Sequence, residues 1–267
     1  DFDDLIMKYG HNQFNNWPTN LDETTGCFLN YTSGTTGNPK GVINSHRSTS
    51  IRTILELIRY SANDCILGLP AMFHACGWGM PFIAMTSGAK IVLNNTCYDY
   101  NILCELILNE SVTRMCGVPT MIEDFCSKLK QNPSKYKGGR LKVTEIRCGG
   151  ATCPPHIIEY LHHEWGIELS HGWGMTECMP GCHSKRIQRR RDLALSPDDD
   201  KLMKNLLKQG TFNPSMETLL VNTDNGDYDN ILNKDGKNIG ELLIKGPCIT
   251  YNYYKMDKEK RKKYFTK

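Results

Sequence analysis

The sequence predicts an α/β protein with a layered parallel-sheet and helix core and a β-rich C-terminal portion. Short apolar runs of strand length alternate with helically spaced segments from Cys27 to Gly166, and their connections are short, as a parallel sheet covered by helices requires. After residue 167 the alternation stops, and strand candidates flank a turn region rich in Asn and Asp. The 267 residues are 39% hydrophobic, 23% charged and 9% aromatic, a composition that supports a buried core and excludes disordered, collagen-like and coiled-coil chains. At about 150 residues per domain, this length fits one large domain or two small ones.

Residues 1–25 are polar and read as a connecting segment. CFLNYT (27–32) and GVINSH (41–46) read as strands separated by a loop rich in Gly, Thr and Ser. From Ser48 to Tyr60 the spacing predicts a helix with Ile51, Ile54, Leu55 and Ile58 on its apolar face. Strands CILGLP, AKIVL, VTRMCGVP and VTEIRCGG then alternate with helices GMPFIAMTSG, YNILCELILNE, TMIEDFCSKLKQ and PPHIIEYLHHEWG. IELSHGWGMTE is a strand entering a loop. In SPDDDKLMKNLLKQG, Ser196 is placed to cap a helix, Pro197 lies in its first turn, three aspartates face its positive end and Gly210 stops it. METLLVNTDNG and GELLIKGP read as antiparallel strands. This divides the chain into the connecting segment 1–25, an α/β part 26–182, and a charged insert with a β-rich end, 183–267.

A net charge of +3 does not by itself argue for a nucleic-acid or anionic-membrane partner. The basic run KRIQRRR (185–191) is followed by Asp192 and Asp198 to Asp200 and reads as a solvated charged surface, so no nucleic-acid partner is expected. The 12 cysteines lie below the density of disulfide-stapled secreted domains. The acidic start DFDDLIMKYG lacks secretory features, so reduced thiols and a cytoplasmic location are expected. Cys178, Cys182 and His183 approach ligand spacing, but no second tight pair completes a metal site. Residues 65–89 contain no Asp, Glu, Lys or Arg, yet Pro70, Pro81, four glycines and His74 interrupt them, so a strand, a loop and a helix are expected there in place of a membrane span.

YTSGTTGNPKG, Tyr31 to Gly41, gathers three glycines, four hydroxyl residues and one lysine between two strand candidates. Glycines let backbone N–H groups converge, hydroxyls add donors, and Lys40 supplies a mobile cation, which together suit a polyphosphate. Lys40 is followed by glycine and the next element is a strand, so this is not a Walker loop. The bland alternative is an ordinary glycine-rich turn.

This loop, with PAMFHACGWG (70–79), GVPT (117–120), CGGATCPP (148–155), HGWGMTE (171–177) and GELLIKGPCITYNYY (240–254), resembles the ordered signature of the adenylate-forming enzymes. That superfamily includes acyl-CoA synthetases, luciferase-type enzymes and peptide-synthetase adenylation domains. The FHACGWG and HGWGMTE forms and the LSPDDDKLMKNLLKQG insert are most similar to medium- and long-chain fatty acyl-CoA synthetases. Amino-acid-activating members carry an aspartate where His74 stands, so the resemblance implies an acid without an α-amino group.

The implied activity activates a fatty acid with ATP to acyl-AMP, then transfers the acyl group to coenzyme A, with Mg2+ as cofactor. A short, methylthio- or aryl acid is the neighbouring alternative, and a non-catalytic nucleotide- or acyl-binding remnant is the alternative of a different class. By resemblance Thr32, Ser33, Gly34, Thr35, Thr36, Gly37 and Lys40 hold the β- and γ-phosphates, Thr176 contacts the α-phosphate, and Glu177 ligates magnesium. Gly149, Gly150, Ala151, Trp173 and Gly174 form the adenine site. His74 orients the acyl carboxylate, and Trp78 matches a gate at the acyl tunnel. Taken alone, Trp173 would be core packing and His74 a satisfied core histidine.

Asn252 stands where the family has glycine before paired aromatics, and asparagine tolerates the left-handed backbone a turn there could need. The resemblance further implies a preceding sheet, a ribose-binding aspartate and a C-terminal lid domain with a catalytic lysine, none of which this sequence contains. Negligible turnover is therefore expected of these 267 residues alone. No transmembrane segment is expected; peripheral membrane contact and a homodimer are family-level expectations.

Overall fold

The computed structural model describes residues 4, 7–8, 19–32, 38–57, 59–74, 77, 79–94, 98–178, 182–183, 203–204, 206–223, 228, 230–262 and 264–265. Two strands, β1 (Gly26–Thr32) and β2 (Lys40–Ser45), form an antiparallel hairpin, and β2 runs directly into α1 (His46–Leu57). The main sheet then assembles from β3 (Cys65–Gly68), β4 (Lys90–Val92), β5 (Arg114–Gly117), β6 (Glu145–Cys148) and β7 (Glu168–Trp173), all parallel, in the order β4-β3-β5-β6-β7. The short strands β8 (Cys182–His183) and β9 (Thr211–Phe212) extend it antiparallel beyond β7. The crossovers carry α2 (Met80–Ser87), α3 (Tyr100–Asn109), α4 (Pro119–Gln131), α5 (Pro133–Tyr136) and α6 (Pro155–Trp165). A second antiparallel pair, β10 (Glu217–Val221) with β11 (Glu241–Lys245), and a short α7 (Lys258–Arg261) follow. The expected α/β class and β-rich end are both present.

Strand alternation gives the sheet two unlike faces. On one, Cys65, Leu67, Met115, Ile146, Cys148 and Leu169 meet apolar residues of α3, α4 and α6, including Leu103, Ile107, Ile122, Phe125, Leu129, Ile157 and Leu161. These helices begin as their sequences direct: Asp99 caps α3 through the N–H of Asn101 at 2.8 Å, and prolines open α4 and α6. Gly166, at φ 62°, closes α6 in the left-handed region that favours glycine.

The other face is apolar only near Ile66 and Cys116, which pack with Tyr60, Met80, Ile83 and Ala84. Next to them it carries Arg114, Glu145, Arg147 and Ser170. This composition overturns the expected orientation of α1. Ser48, Arg52, Thr53 and Glu56 are buried, whereas Ile54 is 61% exposed. The physical reason is charge pairing: Arg147 donates two hydrogen bonds to Glu56, at 2.8 and 3.0 Å, and only the polar stripe of α1 can meet that guanidinium. Arg114 continues the seam by bonding Asp64, at 2.8 Å, and Glu145, while Arg59 reaches Glu145 at 3.5 Å. Gly79 permits the approach of α2, because a Cβ there would fall 2.4 Å from the Arg52 guanidinium carbon.

Burial pushes the Tyr60 hydroxyl up to about 12, outweighing the nearby Arg147 cation. Burial also raises Asp64, but its bonds to Arg114 prevail and hold the carboxyl below its ordinary value of 3.8. Cys27, Cys65, Cys104, Cys116, Cys126, Cys148, Cys153, Cys178 and Cys248 are free thiols, and burial lifts Cys126 to about 12. Among the described residues no helix is long and apolar enough to cross a membrane.

Arg147→Met should remove two charge-assisted hydrogen bonds from the Glu56 carboxylate, 2% exposed, and lower unfolding free energy by roughly 3–5 kcal/mol in a denaturant titration. Asp64 ionises more readily folded than unfolded, so its contribution is complete above its ordinary value and disappears as pH falls through the folded one. The melting-temperature deficit of Asp64→Asn should therefore be greatest near neutrality and shrink below pH 3.8, as a pH series of thermal melts would show.

Candidate active site

Four connections leave the carboxyl ends of adjacent parallel strands: one beginning at residues 69–74 after β3, Val118 between β5 and α4, residues 149–154 after β6 and 174–178 after β7. β4 lies on one side of β3 and β5 on the other, so the strand order reverses at β3. Open α/β sheets bind ligands outside the carboxyl ends of their strands near such a reversal. The structure thus gathers on one edge segments that the sequence separates by about a hundred residues.

After β6, Gly149 donates its N–H to the carbonyl of Gly117 at 3.3 Å, tying that loop to the end of β5. Gly150 has φ 86°, a conformation side-chain-bearing residues rarely adopt, and Ala151 is exposed beside it. The Cys153 N–H donates to Nε2 of His171 at 3.3 Å, so a buried imidazole on β7 supports the loop from below. A hydrogen bond with Cys148 lowers the Cys153 thiol despite its burial. Trp173, at the end of β7, is half-buried and meets Phe212 edge-on at 6.4 Å; Gly174 is exposed. Gly149, Gly150 and Ala151 therefore lie on the loop after β6, next to Trp173 and Gly174 at and just beyond the end of the neighbouring β7.

The hairpin register sets Thr32 opposite Lys40, so both ends of the glycine-rich loop leave one point of the β1–β2 hairpin. Ser33, Gly34, Thr35, Thr36, Gly37 and Trp78 lie outside the described residues, as do the 185–191 run and the start of the 196–210 helix. His74 is exposed, which removes the core-histidine reading, and its main-chain carbonyl accepts from the Gly77 N–H at 2.8 Å in a tight turn.

Lys40 and Glu177, 137 positions apart, converge on Tyr253. The Tyr253 hydroxyl donates to Glu177 Oε1 at 2.6 Å, and the Lys40 ammonium lies 5.5 Å from the Tyr253 ring centre and 4.2 Å from that of Tyr264. Burial and then the Glu177 carboxylate push the Tyr253 phenol well above its ordinary value, so it remains a donor at neutral pH. Thr176 is half-buried in the turn beside Glu177.

Residues 248–254 make this convergence possible. The N–H of Thr250 donates to the Glu177 carbonyl at 2.9 Å, its hydroxyl lies within donating reach of the Asn252 carbonyl at 2.9 Å and the Ile43 carbonyl at 3.1 Å, and the N–H of Tyr254 donates to the Gly41 carbonyl at 2.7 Å. Val42 and Tyr253 form an antiparallel bridge. Sequence reasoning did not assign His171, Thr250, Tyr253 or Tyr264 to the site, although the first three belong to quoted motifs and Tyr253 is one of the paired aromatics. The left-handed residue in this turn is Lys255, φ 56°, so Asn252 does not need the positive φ considered for it.

Chemically, an ammonium group such as that of Lys40 suits an anion, and a carboxylate oxygen such as Glu177 Oε2 suits a cation. Among the described residues Lys40 has no carboxylate partner, and Glu177 Oε1 is engaged by Tyr253 while no hydrogen bond or ion pair engages Oε2. These two groups fit a phosphate chain and a divalent cation. An open depression lined by Tyr98, Asp99, Met121, Asp124 and Lys128 lies elsewhere, on α3 and α4, and contains none of these groups.

A family model described as AMP-binding enzyme matches residues 4–254. A medium-chain-fatty-acid–CoA ligase from Ectopseudomonas oleovorans is 34% identical over 261 residues, covering 96% of this chain and 45% of the relative. A 3-methylmercaptopropionyl-CoA ligase from Ruegeria lacuscaerulensis is also 34% identical over 261 residues, covering 96% and 46%. The chain thus spans less than half the length of these relatives. Among solved structures, the N-terminal domain of FACL13 from Mycobacterium tuberculosis superposes with a TM-score of 0.75 at 21% identity, covering 98% of this chain and 60% of that one. A long-chain-fatty-acid-CoA ligase from Archaeoglobus fulgidus gives 0.72 at 22% identity, covering 88% and 44%. Both superpositions support the fold.

Thr250→Val keeps the side-chain shape but removes the hydroxyl that joins this segment to β2. It should cost about 1 kcal/mol of stability and speed proteolysis near Glu177, readable by limited digestion.

Proposed function

Because the chain belongs to the AMP-binding enzyme family, we propose that it is the nucleotide- and acyl-binding part of an ATP-dependent, AMP-forming acyl-CoA synthetase acting on a medium- or long-chain fatty acid. The observation that carries this reading is the meeting of Lys40 and Glu177 at one tyrosine, beside loops from adjacent strand ends.

Joining a carboxylate to the α-phosphate of ATP brings two anions together, so positive and hydrogen-bonding groups must offset the repulsion. Lys40, Thr32 and the loop residues Ser33 to Gly37 take the β- and γ-phosphates in this reading, and Thr176 takes the α-phosphate. Glu177 holds Mg2+, which when bound neutralises phosphate charge. The Gly149–Ala151 backbone and Trp173 flank the adenine, with Gly174 beside them. His74 orients the acyl carboxylate, and Trp78 borders the acyl path. The carboxylate oxygen bonds to the α-phosphorus as pyrophosphate leaves; the thiol of coenzyme A then attacks the acyl carbon, loses its proton and releases AMP.

A second reading, the same chemistry on a methylthioalkanoate, rests on the equal 34% identity to the 3-methylmercaptopropionyl-CoA ligase. Residues 26–182 and 183–267 are assigned to one large domain of the enzyme, and the small-molecule partners are the acid, ATP and coenzyme A.

In the full-length gene product, pyrophosphate release should require both Mg2+-ATP and a fatty acid. Acids of graded length and 3-methylthiopropionate would distinguish the two substrate readings; release driven by amino acids alone would contradict both. In calorimetry, Lys40→Ala should weaken ATP binding by about tenfold or more, the loss of a charge-assisted phosphate contact. Equal affinity in variant and wild type would remove Lys40 from the phosphate site.

A further inference from the structure

Tyr253 is 7% exposed and held from several sides. Its backbone bridges Val42, and the neighbouring Tyr254 N–H is bonded to Gly41. Its ring meets Tyr264 and Phe265 edge-on, each at 5.5 Å, so rotation about its side-chain bonds would collide with these rings. A residue so fixed presents its hydroxyl to Glu177 Oε1 and its ring to Lys40. Nothing in its motif requires a hydroxyl for packing, since phenylalanine offers the same ring.

We propose that Tyr253 is a positioning residue for the nucleotide site: its hydroxyl fixes the Glu177 carboxylate with Oε2 turned free for a cation, while its ring backs the Lys40 ammonium. One rigid side chain then sets the separation between the group that binds phosphate and the group that binds metal. Tyr264, whose ring is nearer to Lys40, completes the aromatic support. The inference rests on the nucleotide reading above. It adds that the two charged groups are coupled through Tyr253 and that the coupling has separable halves: the hydroxyl acts on the metal, and the ring acts on the lysine.

Outer contacts that orient a metal ligand are worth about 10–100-fold in metal affinity, which sets the size of the expected effect. The test is calorimetric titration of ATP into the full-length gene product, with and without Mg2+. Tyr253→Phe should leave ATP affinity without Mg2+ within about twofold of wild type, while the Mg2+ concentration needed to strengthen binding rises by about tenfold. Tyr253→Leu, which also removes the ring, should weaken ATP binding without Mg2+ as well. Glu177→Gln should abolish the Mg2+ effect with Tyr253 intact, an independent check should the tyrosine variants fold poorly.

An unchanged Mg2+ response in a folded Tyr253→Phe protein would overturn the proposal and leave the hydroxyl a structural role only. A strengthened response would overturn it too, because the hydroxyl would then compete with the metal for Glu177. If the wild type binds ATP and Lys40→Ala does not, the nucleotide reading stands whatever Tyr253→Phe shows. If the wild type binds no ATP, that reading falls and the proposal falls with it.

Discussion

The segment from Cys248 to Tyr254 is the constraint on which the site depends. The β1–β2 hairpin and β7 belong to different sheets, and Lys40, which opens β2, and Glu177, in the turn after β7, are far apart in sequence. Thr250 reaches both bodies: its N–H donates to Glu177, and its hydroxyl proton is shared between the carbonyls of Ile43 and Asn252. Tyr253 and Tyr254 extend the attachment along Val42 and Gly41. Without this crossing, the hydrogen bonds that tie β2 to the turn carrying Glu177 would be lost. Backbone hydrogen bonds suit this task because they are directional and need few residues.

The rest of the framework is divided between two kinds of packing. On the face toward α3, α4 and α6, apolar burial dominates, and the strands supply alternate side chains to a continuous core. On the face toward α1, buried arginines and carboxylates replace most of that core. Buried pairs of this kind do not add much net stability over an apolar core. They do make one arrangement far better than its neighbours, because a rotated α1 would leave Arg147 without Glu56. Since β2 enters α1 without a break, this seam also orients the hairpin that carries Lys40.

Much of this was legible in the sequence for identifiable reasons. Strand and helix alternation reports local periodicity, and every expected strand and helix from residues 65 to 173 is present, with Asp99, Pro119 and Pro155 at helix starts. The loops at the strand ends were legible through their resemblance to the ordered signature of a known superfamily, and the loop between β1 and β2 also through its density of glycines and hydroxyls. The buried face of α1 was not, since hydrophobic spacing assumes an apolar partner and the partner is Arg147, contributed by a strand about ninety positions later. Tyr253 was equally hidden. A tyrosine that contacts a lysine on one strand and a glutamate after another has no local signature, and only the fold reveals that it touches both.

In the proposed reading, the loops following β6 and β7, joined to Lys40 through Tyr253, form a nucleotide site. Photolabelling of the full-length gene product with 8-azido-ATP, followed by peptide mapping, tests it most directly. The account expects label within residues 148–178, suppressed by excess ATP or AMP. Competable label confined elsewhere, as on the open depression beside Tyr98 and Lys128 on α3 and α4, would contradict it.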